Sequence, residues 1–433
     1  MSGARHPKSV ECALSSLELF SAPPVQLSID SQQYVTYLPL VAPNNNTNSP
    51  IEFYIPGDDR FIDLTDVLLH LKLKITKPND ETVGDAKVAV INYALNTIFS
   101  QVDVTLGDKL ISQSNNTHPY RAYLEAILNY SKSSLTSQFT SAIFYADSSH
   151  KFSEIDATNA GFVTRNALSK ASRVFDCIGT IHSDLFNCER LLLNQIDLRI
   201  KLLRARNPFC MMYGQDEDYK LHILEASLYV KKVSVSAPVR LGLESALLKH
   251  NAIYPVQRIV MKNFSLPEGI KNYNMENLFL GLTPNYVIVT MVEQDGFNGM
   301  NEFNALEFKH FDLSEICLVS NGEQVPASAF KPDFEAGHCV REFHHIYLAT
   351  GRHLRDLPLI MNRDDFMGGY AIFVFPLSPS NEVSCHGAQQ NGNVRLKMSF
   401  KKGLPRPVTL LTYAAFDSVI EIDARRQVFT DFY

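Results

Sequence analysis

Several signatures of chemistry are missing from this sequence. There is no GxxxxGK[ST] run to cradle phosphates, no GxSxG elbow, no HExxH pair and no EF-hand loop. Charge of one sign is scarce too: 40 Lys and Arg stand against 46 Asp and Glu, a net charge of −6. The chain as a whole therefore exerts no electrostatic pull on nucleic acid. No stretch approaches the ~18 consecutive apolar residues of a membrane span, and YAIFVFPL at 370–377 has the length of a buried strand. The opening MSGARHPKSVECALSSLELF lacks the apolar core of a signal peptide, so a soluble protein made in the cytosol is expected. Cysteine is sparse and odd in number: Cys12, Cys177, Cys188, Cys210, Cys317, Cys339 and Cys385 are scattered, with no CxxC spacing. That pattern predicts reduced, packed thiols. The sequons Asn45-Asn46-Thr47 and Asn115-Asn116-Thr117 then never meet the glycosylation machinery. Tryptophan is absent while Phe (27) and Tyr (18) are plentiful, a bias that suits strands.

What is present reads as β structure. A chain of 433 residues, 45% hydrophobic, is long enough for two or three domains with substantial cores. Leu69, Leu71, Leu73 and Ile75 alternate with His70, Lys72, Lys74 and Thr76, which predicts a strand with one buried and one wet face. Ile196, Leu198, Ile200 and Leu202 repeat the pattern, as do Val394, Leu396, Met398 and Phe400. The clearest helix lies at 119–130, where Tyr120, Tyr123, Leu124, Ile127 and Leu128 form one apolar stripe behind Pro119. The spacing predicts an N-terminal arm over 1–40 leading into the first strand, a first β unit over 41–238, a connector over 239–252 and a second unit over 253–433. Each unit holds about eight short strands, the number expected of a jelly roll.

Two stretches half a chain apart match. QVDVTLGDKLI (101–111) and SEICLVSNGEQVP (314–326) both alternate apolar and polar residues and then enter a tight turn, at Gly107-Asp108 and at Asn321-Gly322. With the strand count, this predicts a duplication.

Candidate chemistry is thin. Asp216-Glu217-Asp218 could hold a hard cation but reads as a solvated loop. His338, Cys339, His344 and His345 in GHCVREFHHIY are the nearest thing to a metal set. Adjacent His344 and His345 on a strand would point to opposite faces, so no metal is assigned. The basic pairs Lys231-Lys232, Lys401-Lys402 with Arg406, and Arg425-Arg426 could touch nucleic acid or an acidic neighbour, and otherwise read as solvated strand ends.

One series of segments carries a family resemblance. In the second half it comprises YPVQRIVMKNFSLPEG (254–269), ENLFLGLTPNYVIV (276–289), DGFNGMNEFNALEFKHFDL (295–313), SNGEQVPASAFKPDF (320–334) and AAFDSVIEIDARRQV (414–428). SLELFSAPPVQLSI (16–29), IEFYIPGDDRFIDLTDVLLHLKLKI (51–75), IFSQVDVTLGDKLI (98–111) and YRAYLEAILNY (120–130) join it from the first half. In order and over nearly the whole chain, the series resembles the major capsid proteins of Polintons (Mavericks) and adintoviruses. The chain departs from them at Asn304-Ala305-Leu306 before Phe308 and His310, and at Gly281-Leu282-Thr283-Pro284, positions read as loops or turns where variation is tolerated.

The resemblance implies an all-β double jelly roll with a few short helices in inserted loops. It implies a non-enzymatic subunit whose homotrimers form pseudo-hexagonal blocks tiling an icosahedral shell around double-stranded DNA. No catalytic, cofactor-binding or metal residue follows from it, and no cofactor or small-molecule substrate. The implied partners are copies of the chain, penton and other minor capsid proteins, and in weak contact the packaged DNA or an inner membrane. The implied location is the virion, assembled inside the host cell. The segments 131–150 and 204–220 are expected to reach over neighbours or form the outer surface, and the arm to lie on the inner face. Two alternatives stay open: a minor capsid protein, and a jelly-roll sugar-binding or metal-dependent protein.

Overall fold

The computed structural model describes residues 8, 15–20, 22–43, 49–113, 115–214, 218–300, 303–378 and 390–431. Of the residues singled out above, Cys12, Asn45, Asn46, Thr47, Asp216, Glu217 and Cys385 lie outside them.

Strands of the first half are β1 (Ile29–Tyr37), β2 (Ile51–Ile55), β3 (Phe61–Thr76), β4 (Ala89–Val90), β5 (Phe99–Leu106), β6 (Lys109–Leu110), β7 (Phe175–Thr180), β8 (Leu198–Arg204), β9 (Met211–Met212) and β10 (Lys220–Val235). The second half has β11 (Ala252–Leu266), β12 (Asn272–Leu282), β13 (Tyr286–Glu293), β14 (Leu313–Ser320), β15 (Glu323–Phe330), β16 (Ile372–Pro376), β17 (Asn391–Phe400), β18 (Val408–Ile422) and β19 (Val428–Thr430). The first half forms two antiparallel sheets, ordered β1-β10-β3-β7 and β2-β8-β5-β6, and the second forms β11-β18-β13-β16 and β12-β17-β14-β15. The short β4 and β9 pair with each other, and β19 adds to β18. Setting those aside, each half has eight strands with one and the same order. The first, eighth, third and sixth strands make one sheet; the second, seventh, fourth and fifth make the other. Successive strands thus cross between the two sheets at every step but the fourth to fifth, which stay together as a hairpin; this is the jelly-roll path.

The hairpins that matched in sequence occupy the same place in both halves, between the fourth and fifth strands. Leu106 pairs with Lys109 around Gly107-Asp108, and Ser320 with Glu323 around Asn321-Gly322. Gly107 (φ 54°), Asn321 (φ 53°) and Gly322 (φ 90°) all have positive φ, which tight hairpins demand and which Gly and Asn supply most cheaply.

Period-two burial holds where it was expected. Leu69, Leu71, Leu73 and Ile75 of β3 are buried, as are Leu198, Ile200 and Leu202 of β8 and Val394, Leu396, Met398 and Phe400 of β17. Thr76 departs from its expected wet face: at the strand end it is buried, its hydroxyl 2.7 Å from His222 Nε2. Most of the buried apolar residues of both halves join in one continuous core, and Ala89, Phe162 and Met212 form a small second cluster.

Helices lie in the connections. The helix His118–Asn129 carries Pro119 in its first turn, as read from sequence, yet its polar side is not wet: Arg121 and Glu125 are buried with the rest. Within the segments 131–150 and 204–220, expected to reach over neighbours or form the outer surface, Leu135, Ile143, Phe144, Phe209, Met211 and Met212 are buried, while most of 131–150 is exposed or half-buried. Both segments alternate polar and apolar groups too irregularly for the buried members to show. Ala237–Leu247, between β10 and β11, is a helix.

Candidate functional site

The histidine segment forms a helix, not a strand. Val340–Ala349 carries His344 and His345, with Cys339 buried at its start. Successive helical positions point ~100° apart, and the two rings part accordingly. His345 packs edge-on to Phe330 (centroids 5.0 Å), and His344 edge-on to His353 (5.0 Å). Phe343, Ile346 and Tyr347, at helical spacing and turned inward, were the signal that reading the pair as strand residues passed over. Among the described residues no group of three or more His, Cys, Asp and Glu is placed to hold a metal ion. The cysteines at 177, 188, 210, 317 and 339 are free and buried; burial pushes the Cys177 and Cys210 thiols up to about 12.

The basic pairs are largely consumed inside the chain. Lys231 sits between Asp63 (3.1 Å) and Asp66 (2.7 Å), Lys232 is buried against Asp58 (2.8 Å), and Lys401 meets Asp333 (2.6 Å). Arg406 lies over the Phe303 ring, and Arg426 bonds Glu244 (2.6 Å) and Asn194 (2.9 Å). Only Lys402 and Arg425 of these stay simple exposed ends.

Charge is instead concentrated where the rolls meet. Arg121 bonds Glu125 (2.9 Å) one turn on and Asp184 (2.5 Å) from the loop after β7. His182 Nδ1 lies 2.6 Å from Glu125 Oε2, and Tyr93 Oη 2.7 Å from His182 Nε2. The second roll closes the cluster: the Tyr413 hydroxyl of β18 donates to Glu125 (3.3 Å) and the Ile259 N–H of β11 to Asp184 (3.2 Å). Burial alone would raise the Glu125 carboxyl, but Arg121 and His182 hold it down at about 2. Asp184 has less help, and burial raises it. Beside them His118 is driven down to about 3 by burial, so its ring is neutral. A second buried pair, Arg165 with Asp147 (2.7 Å), reaches across to Asn304, whose amide donates to Asp147 (3.1 Å). Arg121 and Glu125 stand at helical i, i+4 spacing, but no spacing announced Asp184, His182, Tyr413 or Asn304, which lie far from their partners in the chain.

A cleft of about 470 Å³ opens between the rolls beside this cluster, lined among others by Asp184, Gln257, Tyr286, Arg352 and Tyr413. Several of its polar side chains bond in pairs: Tyr413 to Glu125 (3.3 Å), Asn285 to Asp417 (2.7 Å) and Tyr286 to Gln257 (3.5 Å).

Surfaces differ more sharply than interiors. β11 is an edge strand of its sheet, and the first roll covers that edge. Besides Asp184 on Ile259, Gln113 Oε1 accepts from Met261 N–H (3.0 Å), Asn115 Nδ2 donates to Met261 C=O (3.2 Å) and Arg190 donates to Ile253 C=O. Tyr254 Oη accepts from Leu193 N–H and donates to Leu191 C=O, both at 3.0 Å. β1 holds the corresponding place in the first roll, and among the described residues nothing covers it. Residues 30–34 are all exposed, Tyr34 by 53%.

No family model matches the chain. A curated relative, an uncharacterized protein of Caenorhabditis elegans, is 23% identical over 400 residues, covering 88% of this chain and 93% of its own. Among solved structures, a chain of the Sputnik virophage superposes with a TM-score of 0.67 at 10% identity, covering 100% of this chain and 94% of that one. The mavirus major capsid protein gives 0.54 at 11% (99% and 97%), and the Faustovirus major capsid protein 0.56 at 8% (94% and 92%). At such identities the likeness speaks for architecture, and it agrees with the strand order: this all-β chain is a double jelly roll, two tandem eight-stranded units with short helices in their connections.

Proposed function

We propose that this chain is a structural subunit, the major capsid protein of a double-stranded DNA virus or virus-like element, three copies forming a pseudo-hexagonal block of an icosahedral shell. The observation that carries this reading is the repetition of one strand order in two tandem rolls. A threefold assembly of such chains presents six similar units, a footprint that tiles without gaps. Full-length likeness to viral capsid proteins supports the same reading, and so does a roll junction whose ionic groups are spent on each other. The segment resemblance supports a reading of the chain as akin to the Polinton and adintovirus capsid proteins. The division proposed is an arm over 1–40, rolls over 41–238 and 253–433, and a connector over 239–252. Penton proteins, packaged DNA or an inner membrane are the further partners, in a virion assembled inside the host cell.

Light scattering or mass photometry of the purified protein tests this, followed by electron microscopy. A species near three times 48.7 kDa, or closed shells, is expected, with a trimer interface above the standard ~1,600 Å². A persistent monomer at micromolar concentration overturns the reading. Deleting residues 1–24 is expected to leave trimers and impair shells.

A further inference from the structure

The contact that joins the rolls within one chain supplies a template for the contact between chains. Inside the chain, segments following the fifth and sixth strands of the first roll cover the free edge of β11, the first strand of the second roll, through Gln113, Asn115, Asp184 and Arg190. Each chain then retains one first strand that no described residue covers, β1, and one further segment after a fifth strand, residues 331–357 beyond β15. Given the trimeric reading above, on which this rests, we propose that residues 331–357 of one copy cover the β1 edge of the next, repeating between chains the junction made within each.

Two observations fit that pairing. An edge strand with unpaired backbone groups is a template for association that folded proteins cover or blunt, and β1 from Asp30 to Thr36 has neither proline nor lysine to blunt it. Both sides expose large apolar groups: Leu38 and Val41 beyond the end of β1 are 72% and 71% exposed, and Leu354 in the opposing segment is 92% exposed, with Val340, Leu348 and Leu357 near it in sequence. A contact between copies would take such groups out of water. The contact is head-to-tail, because different surfaces of two copies meet, and such a contact generates a ring where the rotation closes. With two rolls per chain, a ring of three chains meets the same junction six times.

The test is a photo-cross-link in the full-length protein. Tyr34 is replaced by p-benzoylphenylalanine, an aromatic for an aromatic, and the variant is co-assembled with isotopically heavy copies. Adducts are expected between position 34 and peptides from 331–357 of a different copy. In parallel, Tyr34→Glu and Leu354→Glu are each expected to lose the trimer at micromolar concentration while circular dichroism stays that of the parent. A trimer whose adducts fall elsewhere, or one that survives both glutamates, overturns this interface and leaves the assembly reading standing. A parent protein that forms no oligomer overturns the assembly reading itself. Should a glutamate variant fail to fold, the cross-link alone decides.

Discussion

β1 and β11 open their rolls from the same position, yet Tyr254, Val256, Ile259 and Met261 of β11 are buried and no residue of β1 is. Among the described residues both strands pair along one side only, with β10 and with β18. What differs is across the other side, where β11 meets the loops of the first roll and β1 meets nothing described. Burial of a strand is thus set by its neighbour as much as by its own sequence. A duplicated chain can satisfy one such edge internally while leaving the other for assembly. The connections diverge in the same direction. In the first roll the insert between β6 and β7 buries whole ion pairs, Arg121 with Glu125 and Arg165 with Asp147. In the second roll, pairs such as Arg395 with Glu276 (2.8 Å) sit on the surface, half or more exposed.

The sharpest way to break this contrast is to remove one cation from each kind of pair. Arg165→Ala strands Asp147 without its partner in the interior and should cost ~3–5 kcal/mol, whereas Arg395→Ala should cost ~0–1 kcal/mol. Urea midpoints of the two variants compare them directly; similar small losses would mean that the buried cluster is not holding the first roll's insert.

Acid should act on the same cluster. His118 stays neutral in the fold down to about 3, while the unfolded chain takes up that proton from 6.5. Glu125 is held at about 2 against 4.5 unfolded. In both cases the unfolded state binds more protons as pH falls, so stability present at neutral pH drains away below pH 6.5 through His118 and below 4.5 through Glu125. The raised Asp184 opposes this in part. Each unit of displacement is worth ~1.4 kcal/mol, so melting temperature should fall steeply across this range. His118→Asn should flatten the upper part of the curve; an unchanged profile would show that the ring is not kept neutral by burial.

Tyr254 sharpens the comparison of the two edge strands. Tyr254→Phe leaves the Leu193 N–H unsatisfied under β11 and should cost ~1–3 kcal/mol. Tyr34→Phe on exposed β1 should stay within ~0.5 kcal/mol in a monomer. Equal losses would contradict the difference in cover between the two strands.

Much of this architecture was legible because a sheet with one buried face writes itself as alternation. β3, β8 and β17 were read residue by residue, failing only at Thr76, where a histidine bond replaces solvent. The 118–129 helix was legible by its stripe, but the fate of Arg121 and Glu125 was not. Their partners Asp184 and His182 come from a loop with no periodic signal, and ion pairing across the chain leaves no mark on spacing. The helix at 340–349 was obscured by its two adjacent histidines, read as strand residues. The contrast between β1 and β11 was invisible, since an edge strand reads alike whether or not something lies beside it.

The repeated hairpins allow the finest comparison. Gly107 and Gly322 both have positive φ, and a Cβ on either would meet nothing within 4 Å, so alanine there reports backbone conformation alone. Gly107→Ala, at φ 54°, lies in the left-handed region that side chains can enter and should cost ~1 kcal/mol. Gly322 at φ 90° lies outside the ~50–70° of that region, and its alanine variant should cost somewhat more, within the ~1–3 kcal/mol of sparsely populated backbone conformations. Urea midpoints would order the two. A larger loss at Gly107 would mean that the hairpins, alike in place and in length, are held by different turn geometry. The repetition read from the sequence would then extend to strand order and not to the turns themselves.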